Sequence, residues 1–293
     1  MSNIILGHNP FFGVNHRSQK AGIKKAIHFQ DVNKITEFLS LANSRGYKSM
    51  MTSTHPLAID LCRAVCDSNL KDEITFYPLL PYMQKYVRQA NENGILSMMN
   101  SFFSEMGAFK GSALIAKAGI SKLFNDMNGL IKAALEIEFS YFKGLKCERV
   151  FLHNALTDLA IGMKMSDPIH IFIDYINNKL KLKAGFGTLN LPVAINMFDK
   201  WGISDQYFMA PFNKIGHQMN PSLESNCNIL NQRPDVKILA MSTLASGALK
   251  PEEAFQFLAS IQNIDSIVVG ISTDKHLNST YTAFKQFSGN NIK

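Results

Sequence analysis

The chain has 293 residues, of which 46% are hydrophobic and 18% are charged, and its formal net charge is +7. This composition can bury a large core, which excludes an intrinsically disordered chain. The lysines are dispersed and accompany no nucleic-acid-binding motif. We therefore interpret the charge as a solvated basic face with some bias toward anionic ligands, and expect no nucleic-acid partner.

The N-terminal residues run directly into an apolar segment, without the basic leader of a signal peptide. No apolar stretch reaches the length that crosses a membrane. Two of the four cysteines, Cys62 and Cys66, are four residues apart, which is not the spacing of a redox or zinc pair. We expect a cytoplasmic protein with reduced thiols and no membrane association.

The first part of the chain alternates short apolar runs with amphipathic segments. The predicted strands here are 3–6, 47–52 and 74–80. Two helices are predicted between them: 31–44, capped by Asp31, and 57–66. The loop 7–30 after the first strand is longer than most connections, and loops of that length are usually functional or disordered.

The alternation loosens after the third strand. A helix is predicted at 84–93, and the next helix covers 122–143. Between them, the segment 95–120 is an insertion rich in Met, Phe and Gly, with too many apolar residues to expose as one patch. We expect an extra helical element that packs on the barrel, covers its mouth, or meets another copy or a partner chain.

Five more strands follow, again separated by helices. The predicted strands are 148–153, 183–188, 207–212, 236–243 and 264–271. The helices begin at Asp167, Asn190, Asn220, Lys250 and Ser272, where capping residues or prolines stand. Eight strands alternating with eight helices require a parallel sheet. The sequence predicts an α/β fold, one (β/α)8 TIM barrel over 1–293 with an insertion at 95–120.

Four segments of the chain carry recognisable motifs. The helix and strand that end in His153 form one, and the segment 184–190, Ala-Gly-Phe-Gly-Thr-Leu-Asn, forms another. The others are 238–247, Ile-Leu-Ala-Met-Ser-Thr-Leu-Ala-Ser-Gly, and 268–273, Val-Val-Gly-Ile-Ser-Thr. Together they resemble the fourth, fifth, seventh and eighth strand regions of the aldo-keto reductases. This resemblance implies a (β/α)8 barrel and an NADP-linked oxidoreductase fold.

The resemblance fails at the family's catalytic residues, a Tyr acid with an Asp, a Lys and a His. The Asp position falls on Met51 and the Tyr position on Pro56, while Leu79-Leu-Pro81 stands where the Lys would be. Only His153 matches. Methionine holds no proton and proline has no donor, so we expect a divergent protein without ordinary aldo-keto reductase turnover.

Histidines follow four of the predicted strands, at the end of a barrel where active sites are built. They are His8, His55, His153 and His217, and we predict that they lie on one rim as the catalytic acid–base groups. Each could instead be a structural hydrogen-bonding group. We expect burial to hold the pKa of His153 at or below its ordinary value. No acidic residue stands at these strand ends, so a divalent metal fits less well, and we assign no metal ligand.

Polar residues beside these histidines are candidates for substrate binding. They are Asn9, Asn154, Asn213 and Lys214, each within a few residues of a strand end. Amide and ammonium groups at such positions can orient a polar substrate by hydrogen bonds.

The end of the chain contains a candidate cofactor or phosphate site. Ser272, Thr273 and Lys275 stand at the head of the last helix, and Ser246 and Gly247 in the preceding loop. Amides at a helix N-terminus bind anions, and barrels often place a phosphate there. The alternative is simple helix capping by Ser272 or Thr273.

Three functions remain open from the sequence. The first is a small-molecule enzyme that uses histidine acid–base chemistry on a polar or phosphorylated substrate, in a lyase- or isomerase-like reaction. The second is an NADP(H)-dependent oxidoreductase with a replaced proton donor, for which Tyr77 and Tyr82 are the nearest candidates. The third is an inactive barrel that binds or regulates a partner through 95–120.

Overall fold

The strands close into a barrel. The computed structural model describes residues 1–13, 19–82 and 127–289 of the chain. Eight parallel strands pair in chain order, and the eighth pairs with the first. The strands are β1 (Asn3–Gly7), β2 (Ser49–Ser53), β3 (Thr75–Leu80), β4 (Arg149–Leu152), β5 (Lys183–Gly187), β6 (Tyr207–Pro211), β7 (Lys237–Met241) and β8 (Ile264–Val269). All eight predicted strands and the (β/α)8 fold are confirmed.

Helices separate the strands. In the ranges that the structure describes, the α-helices are Gln19–His28, Val32–Ser44, Pro56–Cys66, Leu70–Glu73, Met127–Ser140, Asn154–Gly162, Asp167–Asp174, Leu191–Lys200, Leu223–Gln232, Pro251–Ala259 and Asp274–Phe287. A π-helical turn, Tyr175–Lys179, extends one helix, and a 3₁₀ turn, Ala245–Gly247, lies in the loop after β7. None of the described helices is long and apolar enough to cross a membrane.

Three expectations about the helices were wrong. The segment 7–30 is not one continuous loop, because it contains Gln19–His28. The helix Asn154–Gly162 follows β4 directly, and its cap is a histidine rather than one of the short polar residues that usually mark a helix start. The helix after β6 begins at Leu223 rather than at Asn220, because the Ser222 hydroxyl accepts a hydrogen bond from the amide of Ser225.

The predicted insertion 95–120 and the predicted helix 84–93 lie outside the described residues. The helix predicted for 122–143 is present as Met127–Ser140, and residues 122–126 also lie outside the described part. The roles considered for 95–120 therefore remain predictions.

The middle of the barrel is filled by apolar side chains. Successive side chains of a strand point to opposite faces, so alternate residues of each strand enter the interior. The resulting buried cluster consists of Ile5, Met51, Tyr77, Leu79, Phe151, Tyr207, Met209 and Leu239. A larger cluster packs the helices on the outer face of the sheet. Burial of this apolar surface is the main stabilising contribution.

Polar contacts close the N-terminal end of the barrel. Asn3 donates to the Ser49 hydroxyl at 2.9 Å, and the Tyr77 hydroxyl donates to Glu148 at 2.8 Å. Ser49 and Asn3 stand at the first residues of their strands. These polar groups form hydrogen bonds with one another inside the protein. The opposite end of the barrel is the one at which (β/α)8 proteins bind ligands.

Gly187 allows β5 to approach the end of β4 closely. A Cβ atom at Gly187 would lie 2.8 Å from the amide nitrogen of Asn154 and 3.1 Å from the carbonyl oxygen of Leu152. Both distances are shorter than ordinary contacts to a Cβ atom. Since His153 lies between these two residues, glycine at this position also sets the path of the chain around His153.

We predict that Gly187→Ala lowers the free energy of unfolding by about 1–3 kcal/mol, because the backbone at β4 must move to accept the methyl group. The control is Gly162→Ala at the end of a helix, where a Cβ atom would meet nothing within 4 Å. Urea unfolding followed by circular dichroism measures both. Equal losses in the two variants would contradict a requirement based on close approach.

Candidate functional site

The four candidate histidines all follow the carboxyl ends of strands. His8 comes directly after β1 and His153 directly after β4, while His55 follows β2 by two residues. His217 lies in the loop after β6. Because the strands are parallel in a closed barrel, these residues belong to the same end of the molecule. His55 and His153 are both close enough to His8 to lower its pKa electrostatically.

His55 and His153 cap the helices that follow them. The Nδ1 atom of His55 accepts a hydrogen bond from the amide of Leu57 at 3.1 Å, and Nδ1 of His153 accepts one from the amide of Ala155 at 3.2 Å. A neutral imidazole that accepts at Nδ1 carries its proton on Nε2. The proton of each ring is therefore on the nitrogen that faces away from the helix.

Burial lowers the pKa of His153 below its ordinary value, so the expected direction of the shift is confirmed. The ring is then predominantly neutral at pH 7. The hydrogen bond from the amide of Ala155 to Nδ1 keeps the proton of the neutral ring on Nε2. His153 can therefore donate a hydrogen bond to an oxygen atom without carrying a charge.

His8 has the opposite tautomer. Its Nδ1 atom lies 3.3 Å from the carbonyl oxygen of Met51, and because a carbonyl only accepts, Nδ1 must be the donor. Burial is the main cause of a pKa lowered to about 4, and the neighbouring His55 and His153 lower it further. At pH 7 the ring is neutral and its Nε2 carries a lone pair. In the described part of the chain, His8 makes no other hydrogen bond.

Aromatic rings connect these histidines. Phe12 lies 5.1 Å from the ring of His8 and stacks on His55 at 4.5 Å. Tyr82 meets His55 edge-on with 5.0 Å between the ring centres. Tyr82 therefore lies beside the imidazole that follows β2. Tyr77 does not, because its hydroxyl is bonded at the N-terminal end of the barrel.

The residues at the three positions where the family's Asp, Tyr and Lys would stand have structural roles in this chain. Met51 is buried in the apolar interior cluster, and Pro56 is the first residue of the helix that His55 caps. Leu79 also belongs to the interior cluster. The described residues at these positions therefore offer no proton donor, and the polar groups lie in the segments just beyond the strands.

A buried carboxylate at this end was missed from the sequence. Glu138 is 3% exposed and accepts a hydrogen bond from the hydroxyl of Thr54. Thr54 in turn accepts from the amide of Tyr82 at 3.2 Å, so the three residues connect the segments after β2 and β3. Glu138 stands three residues after the buried Leu135 and four before the buried Phe142. An acid on an apolar helix face was the signal that could have revealed it.

The candidates after β6 serve mainly to hold their own loop. Asn213 is fully buried, its amide group donates to the carbonyl of His217 at 2.8 Å, and its oxygen accepts from the amide of the same residue at 2.8 Å. Lys214 pairs with Glu253 at 2.7 Å on the protein surface. The Nε2 atom of His217 lies 3.5 Å from the hydroxyl of Ser246. His217 thus contacts the loop after β7 rather than His8 or His55 in any bond that the structure describes.

The half-buried Asn9 and Asn154 follow β1 and β4. Their side chains form no hydrogen bond with the described residues, and their role in substrate binding stays a prediction.

The loop after β7 has a strained backbone. Ser242, Ala245 and Ser246 have positive φ angles of 53°, 44° and 57°, and Gly247 follows with 87°. Non-glycine residues in this region are uncommon, and they concentrate at functional sites. The Ser242 hydroxyl donates to Gln218 at 3.0 Å, which joins this loop to the one after β6.

The head of the last helix is a capped and exposed terminus. Thr273 accepts a hydrogen bond from the amide of His276 at 3.3 Å, so the predicted capping is confirmed, with Thr273 rather than Ser272 as the cap. Lys275 is exposed. Asp274, which pairs with Arg45 at 3.3 Å, places a negative charge beside any anion that binds here.

Metal ligation is poorly matched to these side chains. Over residues 1–13, 19–82 and 127–289, no group of three His, Cys, Asp or Glu side chains is arranged to hold a metal ion. Coordination through Nε2 of His55 or His153 would require the proton on Nδ1, which would break the helix-capping bond.

Comparisons of the whole fold identify similar solved structures. A Pseudomonas aeruginosa protein described as an aldo-keto reductase matches 98% of this chain and 90% of its own, with 12% identity and a TM-score of 0.61. The fold is that of the aldo-keto reductases. The aldo-keto reductase of Bacillus halodurans in its holo form matches 97% of this chain and 86% of its own, with 10% identity and a TM-score of 0.56.

A Klebsiella pneumoniae aldo-keto reductase solved in complex with NADPH covers 96% of this chain and 85% of its own, with 12% identity and a TM-score of 0.53. At such identities the likeness concerns the fold alone. No protein-family model matches the sequence, and no curated protein matches it. The resemblance inferred from sequence motifs is therefore confirmed for the barrel.

We predict that His8 makes stability depend on pH. Its pKa is about 4 in the fold and about 6.5 in an unfolded chain. As the pH falls, the unfolded chain takes up the proton first, so stability that is fully present above about pH 6.5 is lost progressively toward about pH 4. From this residue we expect a loss of about 2–3 kcal/mol between about pH 7 and pH 4.5.

His8→Gln should remove this part of the pH dependence, because glutamine does not titrate. Urea unfolding at the two pH values measures the difference. The control is His170→Gln, which changes an exposed histidine on the helix Asp167–Asp174 and should keep the wild-type dependence. An unchanged pH dependence in His8→Gln would show that the ring is not held neutral.

Proposed function

We propose that the protein is an NADP(H)-linked oxidoreductase that reduces a carbonyl group with a relocated proton donor. The observation that carries this proposal is the grouping of Tyr82, His55 and His153 at the carboxyl end of an aldo-keto reductase barrel. Tyr82 follows β3 and stands beside His55, which follows β2. His153 follows β4, the strand that pairs with β3. In this proposal the phenol of Tyr82 and the imidazoles act near the barrel mouth, because the family's Tyr, Lys and Asp positions hold no proton donor.

Two observations support a dinucleotide in the loops after β7 and β8. The residues Ser246 and Gly247 have left-handed backbone, a conformation that is found in backbone turns that bind anions. Ser272, Thr273 and Lys275 add hydroxyl, amide and ammonium groups at a helix N-terminus. A bound NADP(H) would supply the hydride. The negative charge of Asp274 is the feature that fits least well.

The residues of the chain have separate tasks in this chemistry. His153 and His55 donate hydrogen bonds from Nε2 to the carbonyl oxygen, which stabilises the negative charge that develops there. Tyr82 transfers its phenolic proton to that oxygen. Tyr82 is in turn positioned by its backbone bond to Thr54 and by Glu138 beyond it. Asn9 and Asn154 contribute amides for orienting the substrate.

A second function is favoured by one observation. The neutral His8 offers an acceptor nitrogen near the donor nitrogens of His55 and His153. Such a combination could move protons within a polar or phosphorylated substrate without a nicotinamide, as in a lyase or isomerase. The small-molecule partner is common to both functions. A barrel that only binds a ligand or a partner chain is the remaining outcome.

The first test combines cofactor binding with turnover. We expect NADPH to bind with enhanced nucleotide fluorescence and to be oxidised in the presence of small aldehydes and ketones. His153→Gln should lower turnover by about 10²-fold or more, because it removes the fixed imidazole donor. Binding without oxidation, across a panel of carbonyl compounds, would favour the binding barrel. Absence of binding would favour the cofactor-independent enzyme.

The second test concerns the proton donor. Tyr82→Phe removes only the phenolic hydroxyl, and we expect it to lower kcat by about 10²-fold or more. Tyr77→Phe is the matched control, because its hydroxyl lies in the N-terminal network with Glu148. That variant should lose stability and retain turnover. Similar turnover in Tyr82→Phe and the wild type would assign the proton to another group.

A further inference from the structure

Ser53 is the last residue of β2, and its hydroxyl is buried without a partner. The residue is 2% exposed, and in the part of the chain that the structure describes its Oγ has no hydrogen-bond partner. Burying an unsatisfied hydroxyl costs free energy, and most buried polar atoms in proteins are bonded. The hydroxyl of Ser53 is therefore a group that a ligand could satisfy.

The position of Ser53 on its strand directs this hydroxyl to the barrel axis. Residues two apart on a strand share a face. On β2, Ser49 bonds to Asn3 at the N-terminal end of the barrel, and Met51 is buried in the interior cluster. Ser53 continues the same face and stands at the carboxyl end. It is thus the uppermost inward residue of β2, directly below the barrel mouth.

His8 lies at the neighbouring strand exit. β1 pairs with β2 through Gly7 and Met51, and the ring of His8 is bonded to the carbonyl of Met51, two residues before Ser53. Its Nε2 is an acceptor, as derived above from the tautomer. Both groups are uncharged: the serine hydroxyl donates or accepts, and the imidazole nitrogen accepts.

We propose that Ser53 and His8 form a subsite for a neutral hydroxyl group next to the reacting carbonyl of the substrate. That hydroxyl would donate to Nε2 of His8 and accept from Oγ of Ser53. The substrate class is therefore an α-hydroxy aldehyde or α-hydroxy ketone rather than a simple carbonyl compound. The assignment rests on the proposed carbonyl reduction, and it makes Ser53 a specificity-determining residue.

Hydroxyacetone and butanone are suitable probes, since they differ by a hydroxyl in place of a methyl group on the carbon beside the carbonyl. Binding of each is measured by ligand-observed NMR on the full chain, with and without NADP⁺, and NADPH oxidation is measured separately. We expect a preference for hydroxyacetone of about tenfold or more, because a buried polar subsite rejects an analogue that leaves it unpaired.

Ser53→Ala should reduce that preference to near unity. The matched control is Ser49→Ala, which removes an inward hydroxyl of the same strand at the opposite end of the barrel and should keep the preference. The melting temperatures provide a second readout. Ser49→Ala should melt lower because it loses a bond to Asn3, whereas Ser53→Ala should melt at or above the wild-type temperature.

The outcomes separate this subsite from the proposed function. A preference that Ser53→Ala abolishes supports the subsite, even if no carbonyl compound is reduced, in which case only the reduction is lost. No preference, or a preference that Ser53→Ala leaves intact, overturns the subsite even if NADPH is oxidised. A melting temperature lowered as far as in Ser49→Ala would also overturn it, because the hydroxyl would then have a partner within the protein.

Discussion

The candidate site depends on two imidazole rings that cap helices. A helix N-terminus has amides without internal partners, which short polar side chains usually satisfy. Here His55 and His153 accept from the amides of Leu57 and Ala155 through Nδ1. The capping bond fixes each ring in position and determines which nitrogen carries the proton. Each ring lies at a junction between a strand and a helix. The fold therefore fixes the orientation of the two rings as firmly as it fixes these strands and helices.

This arrangement explains how a reductase-like barrel can lack the family's usual proton donor. Met51 and Leu79 take up interior positions with apolar side chains, which pack well and keep the barrel stable. Pro56 begins a helix at a position that suits proline. The residues at these three positions therefore favour the fold. The polar groups at this end come instead from residues beyond the strands, chiefly His8, Tyr82 and the pair of Thr54 with Glu138.

The sequence was sufficient for the barrel because each strand is a short apolar run of the length that a buried parallel strand needs. It could not reveal the helix after β4, whose cap is an imidazole. Nor could it show that Asn213 and Lys214 would bond to His217 and Glu253, because such pairings depend on loop conformation. Nor could it show that the hydroxyl of Ser53 is buried without a partner among the described residues, since this is a property of three-dimensional packing.

The net charge of the chain contrasts with the neutral histidines at the strand exits. The chain carries a net charge of +7, yet two of the histidines at the strand exits are neutral at pH 7: His8 has a pKa of about 4, and burial also lowers the pKa of His153. Lys214, at the same end, is paired on the surface with Glu253. A neutral substrate would be recognised at these two histidines by directional hydrogen bonds, and a site built for such bonds rejects an analogue that lacks the hydroxyl. The excess positive charge would attract an anionic ligand to the periphery of the molecule. The proposed pair of a neutral substrate and a phosphate-bearing cofactor requires this separation of neutral and charged groups.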